Sequence, residues 1–227
     1  MIMRERVLEA LSTVRDPELD EPITELGFVE SLEIEETTVA VTLRLPTYFC
    51  APNFAYMMAA DAKEAVFGVA GVTGVRVALA DHFASNEIND GLARELGFDE
   101  TFEGDTAGGG LTDLRDLFNR KAFIARQEKL ARSVADEESV ARMVLGDLPA
   151  TEETAAYLER RALLGLDTSA NAPFLVTPDG TPIASDSVHD HLKFARAVRV
   201  TIEGNAGFCK GLLATRYGMP QPEEAMT

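Results

Sequence analysis

The sequence predicts an α/β protein: a small domain ordered helix-strand-strand-helix-strand-helix, its three-stranded sheet packed by helices, followed by a mainly helical domain with a short hairpin. Three features predict it. Val39, Val41, Leu43 and Leu45 alternate with Ala40, Thr42 and Arg44, the period of two that a strand with one buried face requires. Apolar residues on either side of that hairpin region recur at helical spacing instead. The Gly108-Gly109-Gly110 run is the most evident flexible joint, which sets the expected domains at 1–102 and 111–219, with a linker at 103–110 and a polar tail at 220–227.

Residues 3–14 set Val7, Leu8, Leu11 and Val14 on one helical face with charges opposite. Asp16-Pro17 stops this helix, because proline disfavours the helical conformation of the residue before it. From Gly27 onward Phe28, Val29, Leu32 and Ile34 lead to a polar break at Glu35-Glu36-Thr37 and then to the alternating strand, which together make a hairpin. After Pro46-Thr47-Tyr48-Phe49-Cys50-Ala51-Pro52, the run Phe54, Ala55, Met58, Ala62, Ala65, Val66 and Val69 resumes helical period. Pro52 suits its first turn, where a missing N–H leaves no bond unmade. Residues 72–80 read as a third strand through Val75, Val77 and Leu79, and 86–96 as a helix closed by Gly97.

In the second half, Leu114, Leu117, Phe118, Ala122 and Ile124 begin a helix running to about Val134, and 136–145 and 151–164 read as two more with acidic first turns. Residues 174–183 are a hairpin candidate turning at Asp179-Gly180. Val188, Leu192, Ala195, Val198 and Ile202 mark a long helix, expected to break between Gly204 and Gly207 ahead of a short one over 208–217.

The chain is acidic, with 38 Asp and Glu against 21 Lys and Arg and a formal net charge of −17. The imbalance is concentrated: residues 1–100 carry 7 basic and 19 acidic side chains, net −12, against 14 and 19, net −5, in 101–227. Such a surface repels phosphate backbones and anionic lipid heads, so neither nucleic acid nor membrane is expected as a partner, and metals, cations or basic proteins match it better. The two cysteines, Cys50 and Cys209, lie far apart and no Cys-x-x-Cys occurs, which argues against a zinc knuckle or a disulfide framework and for a reducing, cytoplasmic setting. Charges at Arg4, Glu5, Arg6 and Glu9 interrupt the apolar core that a signal peptide needs, and no stretch approaches the roughly 18 apolar residues of a spanning helix.

Cys50 lies on the loop that feeds a helix N-terminus, where unpaired N–H groups and the positive end of the helix dipole favour thiolate, the form that binds iron or attacks. The acidic surroundings and the neighbours Tyr48, Phe49 and Phe54 oppose that, and the structural alternative is a small buried hydrophobe. Asp16-Pro17-Glu18 places two carboxylates at a helix end, as hard oxygen ligands or as solvated acids of a turn.

Taken together, Asp16-Pro17-Glu18-Leu19, Ile23-Thr24-Glu25-Leu26-Gly27-Phe28-Val29 and the strand ending Leu45-Pro46-Thr47-Tyr48-Phe49-Cys50 resemble the MIP18/DUF59 family. That family includes SufT-like assembly factors and the PaaD-like proteins of aerobic aromatic-degradation operons. The resemblance spans residues 3 to 98 or so and rests on the paired Asp-Pro-Glu and Thr-x-x-Cys signatures. It implies a small α/β domain that matures or delivers iron–sulfur clusters without being an enzyme, binding the cluster or iron transiently. It also implies Cys50 as thiolate ligand or transfer residue, with Asp16, Glu18 and Thr47 gathered around it. Many relatives have Cys-Pro where this chain has Cys50-Ala51-Pro52, and PaaD-like proteins carry a cysteine-rich C-terminal segment that is absent here, so no zinc-bearing tail is implied.

Other residues suggest further ligands. Asp186, His189 and Asp190 can share one side of a first helical turn, with His191 beside the apolar stripe through Leu192 and Ala195, as metal ligands or as capping, exposed and packed residues. Cys209 follows a glycine break beside Lys210. Since a cluster needs about four protein ligands, Cys50 and Cys209 from two chains would complete one in a homodimer, the alternative being helix packing of Cys209 with Phe208 and Leu212. Three functions follow: a cluster assembly or transfer factor working with the assembly machinery, an accessory that matures a metal-dependent oxygenase or other client metalloprotein, and a thiol enzyme with Cys50 as nucleophile. The last needs a base, which His82 or a C-terminal histidine would supply in space. Phosphate-binding glycine loops, Gly-x-Ser-x-Gly and His-Glu-x-x-His are all missing.

Overall fold

A computed structural model of the chain describes residues 2–102, 110–134 and 136–219. The chain divides into two compact units, Met1–Thr112 together with Asn205–Thr227, and Asp113–Gly204. Residues 205–219 thus belong with the first unit, whereas the sequence grouped them with the helical domain. Of the expected linker only Gly110 is among the described residues, and the 220–227 tail lies outside them.

The first unit follows the predicted order: α1 (Arg4–Ser12), β1 (Val29–Glu35), β2 (Thr38–Arg44), α2 (Pro52–Phe67), β3 (Gly74–Ala80), α3 (Ser85–Ala93) and α4 (Phe98–Thr101). The sheet order is β1-β2-β3, with β1 antiparallel to β2 and β3 parallel to it on the other edge. A parallel pair needs a long crossover, and α2 provides it. The β2–β3 register runs from Thr38↔Gly74 to Arg44↔Ala80, so the segments that leave the two strands start side by side.

Alternation buries Val39, Val41 and Leu43 on one face of β2, joined by Leu32, Val77 and Leu79 from its neighbours. Helix α2 covers that face with Ala55, Met58, Ala59, Ala62 and Val66, and its alanines let backbone and sheet approach closely. Val7 and Leu11 of α1 complete the core at 0% exposure, and each such side chain contributes about 1.5–3 kcal/mol by leaving water. One expected cap moves. Helix α3 ends three residues before Leu96, with Arg94 as its cap and Glu95 in the left-handed conformation (φ 60°). Leu96 N–H donates to Gly91 O and Glu95 N–H to Leu92 O, the paired bonds of a Schellman ending in which a glycine usually sits. Gly97 instead starts α4, its N–H donating to the Glu100 carboxylate at 2.9 Å.

The second unit holds most of α5 (Leu111–Val134), then α6 (Glu137–Val140), α7 (Glu152–Leu163) and the first part of α8 (Val188–Tyr217). Its core gathers Phe123, Leu130, Tyr157, Phe174, Val176 and Val188. The helix expected over 136–145 is a single turn capped by Asp136, because the N–H groups of Leu145 and Gly146 turn away to the carbonyls of Ala172 and Ala170. The 174–183 reversal turns at Asp179-Gly180 (Gly180 φ 82°) and is held by Thr177 N–H to Thr181 O, Ile183 N–H to Leu175 O and a Val176↔Pro182 bridge. Prolines at 173, 178 and 182 remove the donors that a longer ladder needs. The expected break between Gly204 and Gly207 is absent: α8 runs through both glycines, which weaken a helix by about 1 kcal/mol each without ending it. No helix among the described residues is long and apolar enough to cross a membrane.

Candidate functional site

Cys50 sits at the C-terminal end of the parallel strands, two residues before the first residue of α2, with Ala51 as N-cap and Pro52 in the first turn. Its thiol is half-buried and packs against the main core of the first unit. Thr47 Oγ1 lies 3.4 Å from Cys50 Sγ and also accepts the Phe49 N–H at 3.3 Å. With that lone pair engaged, the hydroxyl proton is free to point at the sulfur, the donor that a thiolate takes.

The parallel register brings the segment after β3 alongside this loop. Phe83 N–H donates to Tyr48 O at 3.1 Å, and His82 Nε2 lies 2.7 Å from Cys50 O. Ala84 N–H donates to His82 Nδ1, so the ring proton is on Nε2 and is donated to the Cys50 carbonyl. Burial lowers the His82 pKa, the bond to Cys50 opposing it and the Arg216 charge adding to it, which keeps the ring neutral. Both nitrogens are therefore committed to the backbone, and His82 braces the loop instead of serving the thiol as a base.

Asp16 is 7% exposed and folds its own loop: Oδ1 accepts the N–H groups of Glu18 and Leu19, both at 2.9 Å. Burial raises its pKa to about 6, the two N–H bonds opposing and the charges of Glu18 and Glu21 adding. The C-terminal part of α8 meets this same loop. Asn205 Nδ2 donates to Glu18 Oε1 at 3.4 Å, Lys210 pairs with Glu21, and Leu213 comes within 3.2 Å of where a Cβ on Gly27 would stand. Further along, Arg216 donates to Leu45 O at 3.1 Å and Asp81 O at 2.6 Å. Cys209, one turn after Asn205, packs against the same core as Cys50. Burial pushes its pKa up to about 11, and the charges of Asp16, Cys50 and Glu18 add to the rise.

Residues 4–78 match the family model described as iron–sulfur cluster assembly protein. An uncharacterized protein of Methanocaldococcus jannaschii is 34% identical over 93 residues, which is 40% of this chain and 96% of the relative. The chain belongs to that family. Its family domain is of the MIP18/DUF59 type, and the region beyond it has no family match. No solved structure matches the chain significantly.

Of the residues expected around Cys50, Thr47 is in contact with it, whereas Asp16 bonds within its own loop and Glu18 meets Asn205 of α8. The other histidines are elsewhere. In the second unit His189 Nδ1 lies 3.2 Å from Glu137 Oε2, and His191 Nε2 donates at 2.7 Å to Gln127 Oε1 in a buried network with Tyr157, Arg161 and the Phe174 carbonyl. Among the described residues, no group of three or more His, Cys, Asp or Glu side chains is arranged to hold a metal ion, the Asp186, His189 and Asp190 set included. Sequence reasoning missed His82 as the brace and Arg216 as the clamp. The first was within reach: a parallel third strand ending at Ala80 sets residue 82 beside the Cys50 loop.

Proposed function

We propose that the family domain carries an iron–sulfur cluster, or iron, as cargo on Cys50, with Cys209 as the second thiolate, and passes it to a client metalloprotein. Membership of the assembly family supports the general role. The observation that carries the finer reading is that α8 packs beside the Asp16-Pro17-Glu18 loop, through Asn205 to Glu18 and Lys210 to Glu21, with Cys209 against the same core as Cys50. Burial, with the nearby acids adding to it, holds the Cys209 thiol protonated in the free protein, and those acids also attract a cation. When iron arrives, its charge inverts the balance, the S–Fe bond forms and the thiol proton leaves to solvent. Thr47 Oγ1, 3.4 Å from Cys50 Sγ, stands where its hydroxyl can donate to a thiolate, and Asp16 and Glu18 shape the loop on which α8 rests. A cluster takes about four ligands, so Cys50 and Cys209 supply two and the assembly machinery or the client supplies the rest.

The test is anaerobic reconstitution of wild type, Cys50→Ser and Cys209→Ser with iron and sulfide, followed by desalting and assay of visible absorption, iron and sulfide. Wild type is expected to keep a chromophore that Cys50→Ser loses entirely and Cys209→Ser loses in part. Retention of an unchanged chromophore by Cys50→Ser defeats the proposal.

A further inference from the structure

Three aromatic side chains stand in water next to the cargo thiol. Phe49, the residue before Cys50, is 77% exposed, and Tyr48 and Phe83 are 48% and 46% exposed. They form one cluster: ring centroids lie 5.0 Å apart for Tyr48–Phe49, 6.0 Å for Phe49–Phe83 and 6.3 Å for Tyr48–Phe83. The cluster is also built on a fixed frame. The Phe83 N–H to Tyr48 O bond ties its two loops together, and the His82 ring packs 4.9 Å from that of Phe83 while its Nε2–H holds the Cys50 carbonyl. Large apolar rings held rigidly in solvent gain nothing for the fold, whereas such rings anchor protein interfaces.

We propose that Tyr48, Phe49 and Phe83 are the docking surface for the protein that receives the cargo, a partner presenting an apolar cleft rimmed by Lys or Arg. This rests on the carrier reading above. Ligand exchange requires an acceptor's donor atoms to come within bonding distance of the Cys50 sulfur, and an acceptor that does so covers the adjacent residue, Phe49. The sign of its rim follows from charge: residues 1–100 carry 7 basic against 19 acidic side chains, and Lys210 is already paired with Glu21.

The chain contains no tryptophan, so Phe49→Trp places a single indole reporter on this surface. The probes are two synthetic amphipathic peptides, one alternating Leu with Lys and one alternating Leu with Glu, titrated into the full chain. The Leu/Lys peptide is expected to move the emission to shorter wavelength, with an affinity that falls as salt rises. Adding Tyr48→Ser and Phe83→Ser weakens it about tenfold or more, as truncation of interface anchors does. Equal binding of the Leu/Glu peptide, or no loss in the serine variants, overturns the proposal, as does a chain dimer that dissociates on Phe49→Ser, which assigns the surface to a second copy. Reconstitution separates the two readings. A chain that loads iron but ignores the peptide ends the docking proposal alone, and one in which Cys50→Ser keeps its iron while the peptide binds ends the carrier reading alone.

Discussion

Replacing Asp16 with Asn should make the protein more stable at neutral pH. Burial raises the Asp16 pKa from 3.8 to about 6, so the folded state resists ionising this carboxyl. Between those values the folded chain binds more protons than the unfolded one, and stability declines as pH rises. The favourable contribution of the neutral carboxyl is complete below about pH 3.8 and is lost by the time pH has risen through about 6. A difference of roughly two pKa units at 1.36 kcal/mol each sets the cost of ionised Asp16 at about 3 kcal/mol at pH 7.5. Asparagine keeps the Oδ1 acceptor for the Glu18 and Leu19 N–H groups and carries no charge, so it recovers most of that cost. Urea unfolding followed by circular dichroism at pH 7.5 and pH 4 tests this. The Asp16→Asn midpoint should lie roughly 1–2 M higher at pH 7.5, given slopes of about 1–3 kcal/mol per M, and near wild type at pH 4. The same variant should alkylate faster at Cys209, whose pKa the Asp16 charge helps to raise. A variant that is less stable at pH 7.5, or whose gain persists at pH 4, refutes the reasoning.

His82→Ala removes the donor to the Cys50 carbonyl and the acceptor of the Ala84 N–H, and should cost about 1–3 kcal/mol in chemical denaturation. Because burial lowers the folded His82 pKa below 6.5, its contribution in wild type is complete above pH 6.5 and is lost as pH falls below it, a slope the variant should lack. In the second unit Arg199→Leu leaves Glu128, 5% exposed, without its ion-pair partner and should destabilise by about 3–5 kcal/mol, while adding Glu128→Leu should restore most of the loss in thermal unfolding.

The first unit was legible because its local signals agree with one another. Alternation over Val39–Leu45 defines one buried sheet face, Pro52 fixes a helix start, and the Asp-Pro-Glu and Thr-x-x-Cys segments lie on loops that close the first unit's helices and strands. Gly97 misled because glycine suits either end of a helix, and here a left-handed Glu95 took the C-terminal role. Gly204 and Gly207 misled for a related reason: packing of Ala206, Leu213 and Ala214 overrides a glycine's weak propensity to end a helix. That continuity carries Cys209 onto the core against which Cys50 also packs, a tertiary fact that no local pattern encodes. His189 and His191 sit at spacings that suit metal ligation, yet each is engaged by a partner from α5 or α6.

The first unit is assembled from two stretches of chain separated by the whole of the second unit. During synthesis Cys50 leaves the ribosome roughly 160 residues before Cys209, an interval of about 8–30 s at about 5–20 residues per second. The sheet and α2 have time to fold in that interval, while the last turns of α8 do not yet exist. The nascent protein therefore displays the Cys50 loop before the stretch of α8 that bears Cys209 exists, and the contacts of α8 with the Asp16-Pro17-Glu18 loop form only after the second unit has been synthesised.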